Sequence, residues 1–133
     1  MSYARRALVA SPTRPAQAAA AQLADVADWV DQSEADVVIA LGGDGFMLQT
    51  LHAMLERRKP GIPVFGMNLG TVGFLMNEWR SHGLDERLLL AKSLKVTPLS
   101  ATIVAQDGRT HQLPAINEVS LLRETRQTAK LEV

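Results

Sequence analysis

Val37-Val38-Ile39-Ala40-Leu41-Gly42-Gly43-Asp44-Gly45-Phe46-Met47 is the stretch on which the fold turns. Its first five residues are apolar throughout and start with three β-branched side chains, as expected of a parallel strand covered on both faces. Gly42-Gly43-Asp44-Gly45 breaks that run. From Phe46 the apolar positions Phe46, Met47, Thr50, Leu51, Met54 and Leu55 recur at helical spacing, which predicts a helix to Arg58. Strand, glycine turn and helix in this order form a phosphate-binding arrangement. The start of a helix exposes unpaired N–H groups and the positive end of its dipole, and glycines let a polyphosphate approach the backbone.

The same alternation extends in both directions. Upstream, Ala4–Ala10 reads as a strand, Ser11-Pro12-Thr13 as a turn with Ser11 or Thr13 available to cap, and Pro15–Asp31 as a helix. That helix would bury Ala19, Leu23, Val26, Ala27 and Val30. Downstream, Pro60-Gly61 ends the second helix, Ile62–Met67 is a third strand, and Asn68-Leu69-Gly70-Thr71-Val72-Gly73-Phe74-Leu75 is a second glycine loop that again follows a strand. Leu84–Lys92 is a further helix. Strands alternating with helices imply βαβ crossovers and place both glycine loops at the carboxyl edge of one sheet, where open α/β folds bind ligands.

After Ser93 the pattern changes. Lys95–Gln106 is rich in β-branched residues, Asp107-Gly108 is a hairpin turn signal, and Arg109–Arg123 returns as strand. The expected organisation is therefore an α/β nucleotide-binding domain over residues 1–93 and an antiparallel β region over 94–133. The final Lys130-Leu131-Glu132-Val133 has strand character with neither turn nor cap. This predicts a β domain that continues in a longer protein.

Composition narrows the class of ligand. The 133 residues are 47% hydrophobic, carry a formal net charge of zero and include no cysteine. A chain of this size forms about one packed domain, with no dense basic block for nucleic acid or a membrane surface and no disulfides or thiolate metal site. The expected location is the cytoplasm. Arg5-Arg6 ahead of an alanine-rich stretch superficially resembles an export signal, but Pro12 and Pro15 interrupt it, and no run reaches the ~18 apolar residues of a spanning helix. His52, His82 and His111 show no i, i+4 pairing of the kind zinc requires. Arg57, Arg58 and Lys59 read as a solvated helix end.

Asp44 admits two readings. It can cap the helix, as Asp commonly does. Alternatively, with glycine on both sides, it presents a carboxylate to a hydroxyl held beside a phosphate chain. Phosphoryl transfer suits a carboxylate so placed, because the site mainly aligns donor and acceptor, neutralises charge and accepts a proton late. A metal ion, Mg²⁺, would bridge the phosphate oxygens, although the sequence shows no metal cage. Asn117-Glu118 interrupts an otherwise apolar stretch; it is either a strand-end bulge or turn, or a pair that grips a ribose. Phe74 is either an apolar plug of its loop or a face on which adenine stacks.

Taken together, Gly42-Gly43-Asp44-Gly45, then Asn68-Leu69-Gly70-Thr71-Val72-Gly73-Phe74-Leu75, then Asn117-Glu118-Val119 resemble the NAD kinases in order and spacing. Diacylglycerol kinases, sphingosine kinases and phosphofructokinases share the first motif, so a lipid kinase of the diacylglycerol type is the alternative. The second loop and the Asn-Glu pair distinguish NAD kinase. The resemblance implies an open, mostly parallel α/β sheet with flanking helices, of the phosphofructokinase and NAD kinase kind, followed by the first strands of an antiparallel β domain. It also implies transfer of a phosphoryl group from ATP or polyphosphate to the 2′-hydroxyl of the adenosine ribose of NAD. Asp44 would accept the proton, and Gly42, Gly43 and Gly45 would contact the nucleotide. Phe74 would lie near adenine, Asn117 and Glu118 would hold the ribose, and the protein would be a homodimer or homotetramer. Two departures stand out: Phe46 replaces the threonine that many members carry, and the family's later Thr-Pro-x-Gly-Ser-Thr-Ala-Tyr segment does not occur in these residues. A noncatalytic nucleotide-binding fragment is therefore a third reading for residues 1–133 alone.

Overall fold

The computed structural model describes residues 3–57, 61–71, 73–122 and 132. The expected basic helix end at Arg58 and Lys59, and the strand character of 130–133 apart from Glu132, lie outside these residues. The chain forms two units, Met1–Val96 and Thr97–Val133.

In the first unit, β1 (Arg6–Ala10), β2 (Val37–Gly42), β3 (Val64–Asn68) and β4 (Asn77–Glu78) make one parallel sheet in the order β1-β2-β3-β4. All six residues of β2 are buried. Its alternating side chains explain this. Val37, Ile39 and Leu41 pack with Ala16, Ala19 and Leu23 of α1 (Arg14–Leu23) and with Leu84 and Leu88 of α3 (Leu84–Leu90), while Val38 packs with Met54 of α2 (Asp44–Glu56). Burying each such aliphatic side chain contributes about 1.5–3 kcal/mol, so β2 is the centre of the core.

The first helix is shorter than the spacing predicts. It ends at Leu23, and Val26, expected on the buried stripe, is 47% exposed. The physical cause is Trp29. Its indole Nε1 donates to the Leu23 carbonyl at 2.9 Å, and Val26 N–H reaches the same oxygen at 3.0 Å, which satisfies a carbonyl that a continued helix would have used. Trp29 also bridges Arg6 at the outer edge of β1. The second helix, by contrast, starts two residues earlier than predicted, with Gly43 as its N-cap and Asp44 in its first turn.

β4 was not expected from sequence. Two residues carry no periodicity to detect, and tertiary contacts hold them: Asn77 Nδ2 donates to Gly66 O at 3.0 Å, and Arg87 Nη2 of α3 donates to Glu78 O at 2.7 Å. The Arg87 guanidinium lies 5.4 Å from the centre of the Phe65 ring, and partial burial lowers its pKa from the usual arginine value.

The second unit is an antiparallel hairpin of β5 (Leu99–Val104) and β6 (Thr110–Ala115). Gly108 turns it at φ 85°, and Asp107 accepts the Arg109 N–H at 3.0 Å, as the Asp-Gly signal predicted. β6 is shorter than the strand read from sequence, ending at Ala115. No helix among the described residues is long and apolar enough to cross a membrane.

Candidate functional site

The carboxyl ends of β1, β2 and β3 meet at a cleft of about 540 Å³. Backbone bonds continue the sheet into its rim: Ser11 N–H reaches Leu41 O at 2.9 Å, and Leu69 N–H reaches Gly42 O at 2.9 Å. Three short segments line it: Ser11, Thr13 and Pro15 after β1, Gly42-Gly43-Asp44 after β2, and the second glycine loop after β3. The first turns of α1 and α2 therefore open on one space. Their unpaired N–H groups and dipole ends favour an anionic occupant.

Asp44 is half-buried and does not cap its own helix. Its carboxylate instead joins the two glycine loops, with Oδ2 accepting the Phe74 N–H at 2.8 Å and Oδ1 accepting the Leu75 N–H at 3.1 Å. Gly73 makes this contact possible, because a Cβ at that position would overlap the carboxylate. The loop itself is shaped by Asn68, whose Oδ1 accepts Gly70 N–H at 2.8 Å and whose Nδ2 donates to Thr71 O at 2.5 Å. Asp44 is the one carboxylate among the described residues lining the cleft.

Four of the residues singled out from sequence come together here: Gly42, Gly43, Asp44 and Phe74. Gly45 lies in the first turn of α2, exposed and outside the lining. Phe74 is fully exposed, which excludes the plug reading and leaves an exposed aromatic face at the cleft. Phe46 covers Gly42 so closely that a Cβ there would come within 2.9 Å of the Phe46 Cβ. Asn117 and Glu118 belong to the second unit, exposed at the bend after β6 rather than within a strand.

Sequence reasoning passed over Ser11, Thr13, Asn68 and Gly73 as site residues. In the sequence Ser11 and Thr13 carry only a cap signal, yet Thr13 makes no side-chain cap bond; its hydroxyl lies 3.0 Å from that of Ser11, and both line the cleft. Their position after β1, at the same sheet edge as the two glycine loops, was the available signal. Nothing in the spacing could have shown that the loop amides seat Asp44.

The sequence profile of the ATP-NAD kinase N-terminal domain matches residues 5–82, from before β1 to beyond β4. The chain belongs to the NAD kinase family. A protein named NAD kinase from Rhizorhabdus wittichii is 58% identical over all 133 residues, which cover 51% of that relative's length. An NAD kinase from Zymomonas mobilis is 56% identical over the same 133 residues, again 51% of its length. One from Hyphomonas neptunium is 46% identical across the full chain and 51% of its own length. The chain thus spans about half the length of these curated relatives.

Proposed function

We propose that the protein containing this chain is an NAD kinase, transferring the terminal phosphoryl group of ATP, or of polyphosphate, to the 2′-hydroxyl of the adenosine ribose of NAD. The observation that carries this reading is Asp44, the one carboxylate among the described residues lining the cleft, placed at the N-terminus of α2 and held by the second glycine loop, in a chain of this family. The ribose oxygen bonds to the terminal phosphorus as the bond from that phosphorus to its bridging oxygen breaks. The hydroxyl proton passes to Asp44, and the products are NADP and ADP, or shortened polyphosphate. Each Asp44 oxygen accepts one backbone N–H and keeps acceptor capacity for the ribose hydroxyl.

Gly42, Gly43 and Gly45 serve the phosphates and nucleotide through their backbone, and Phe74 offers its exposed face to adenine. Asn117 and Glu118 supply an amide and a carboxylate suited to a ribose. The division into residues 1–93 and 94–133 belongs to the same reading, supported by the separation of Met1–Val96 from Thr97–Val133. So do a cytoplasmic location, a homodimeric or homotetrameric assembly, and inactivity of residues 1–133 alone.

Among the described residues no cluster of three His, Cys, Asp or Glu side chains is placed to hold a metal. One carboxylate and the Ser11 and Thr13 hydroxyls fit Mg²⁺ arriving on nucleotide phosphates, since that ion keeps several waters and needs only one or two carboxylates besides phosphate. Bound there, it would neutralise charge on the phosphate oxygens.

The test is NADP formation from NAD, ATP and Mg²⁺ by the full-length protein and its Asp44→Asn variant. Turnover is expected to fall by about 10²–10⁴-fold with NAD binding largely kept. Undiminished turnover overturns the role of Asp44. Phosphorylation of diacylglycerol without NADP formation overturns the proposed activity.

A further inference from the structure

The Asp44 carboxylate is held by another loop's backbone rather than by its own helix. Both oxygens are engaged from one direction by the Phe74 and Leu75 N–H groups, at 2.8 and 3.1 Å. A carboxylate on a short side chain at a helix start has several rotamers open to it, and two donors on different oxygens fix its plane. The remaining acceptor positions then have a fixed direction. The donors can come this close only because residue 73 has no Cβ, while the cross-bonds of Asn68 to Gly70 and Thr71 hold the loop's entry.

We propose that Gly73 is a positioning residue for Asp44: its bare Cα lets the loop after β3 seat two backbone N–H groups on the carboxylate and orient it for the substrate hydroxyl. This rests on reading Asp44 as the proton acceptor. Gly73 touches no reacting atom in this account and acts only through Asp44. An alanine there must push the loop or the carboxylate aside, and either movement breaks the two-point seat.

The decisive experiment is a double-mutant cycle in the full-length protein. Gly73→Ala is expected to lower kcat by about 100-fold, the cost of a misplacement near 1 Å. The KM for NAD should stay within about threefold of wild type, as for loss of a contact that matters in the transition state. In the Asp44→Asn background the same substitution should lower kcat no further, because residues acting as one unit are non-additive. Additive losses, or a wild-type kcat for Gly73→Ala, overturn the proposal.

A second measurement needs no folded alanine variant. In the wild-type protein the Phe74 and Leu75 amide protons should exchange slowly with solvent, and both resonances should move in Asp44→Asn. Fast exchange of both amides, or resonances that Asp44→Asn leaves in place, overturns the seat itself. Protected amides together with full activity of Asp44→Asn would instead overturn the proton-acceptor reading, and the positioning role with it.

Discussion

β2 and β5 are both six-residue strands with β-branched residues, yet β2 is buried at every position and five of the six residues of β5 are exposed. Layering, rather than the strands' own composition, makes the difference. β2 pairs on both sides, with β1 and β3, and has helices against both faces, whereas among the described residues β5 pairs with β6 alone and leaves Leu99 54% and Ile103 41% exposed. Each strand system leads into a polar motif. β2 delivers Asp44 into contacts with a second loop, and β6 delivers Asn117 and Glu118 to an exposed bend. A motif inherits the order of the strand that carries it.

The largest break in this comparison is expected at the two carboxylates. Asp44→Asn should lower turnover by about 10²–10⁴-fold, and Glu118→Gln should act mainly on the KM for NAD, because in the proposed function Glu118 contributes binding to the ribose while Asp44 accepts a proton in the transition state. Steady-state kinetics on both variants of the full-length protein separate the two effects.

Within the strands, Ile39→Ala should destabilise by about 2–5 kcal/mol, since it leaves a cavity between α1 and the sheet. Ile103→Ala, on the half-open hairpin, should cost less than about 1 kcal/mol in the same urea titrations. Equal losses at the two positions would remove the contrast.

A smaller effect belongs to the rim of β2. Arg5 donates to Asp36 from its side chain at 2.9 Å and from its backbone at 3.2 Å, and these bonds, the side-chain one first, hold the Asp36 carboxyl below the usual carboxylate range. A carboxyl lowered in the folded state adds stability that is complete above its unfolded pKa and disappears as pH falls through the folded one. Asp36→Asn should therefore lower the melting temperature slightly at neutral pH, and the difference from wild type should close as pH falls through the acid range, which flattens the acid limb. The pair is at the surface, so the change should be the smallest of these effects.

Much of the first unit was legible from residue pattern. β-branched runs, turn glycines and i, i+3, i+4 spacing each act within a few residues, so β1, β2, β3, α2 and α3 could be placed from sequence alone to within a few residues at their ends. The overlong first helix shows where that reasoning stops: Ala24–Asp31 keeps helical spacing, but an indole six residues from Leu23 takes its carbonyl. β4 eluded detection for a related reason, being too short to have a period and existing through contacts with β3 and Arg87.

The candidate site divides in the same way. The sequence determined that a glycine turn with one carboxylate follows a buried strand, that a second glycine loop follows another, and that the chain has the motifs of its family, because such signals are local and survive without neighbours. Tertiary structure alone decided that Ser11, Thr13 and Asn68 share a cleft with Asp44, that Phe74 stands exposed, and that two amides of one loop hold the carboxylate of the other. These pairings join residues 30 and 31 positions apart. Only the packing of β2 beside β3 brings them within hydrogen-bonding distance.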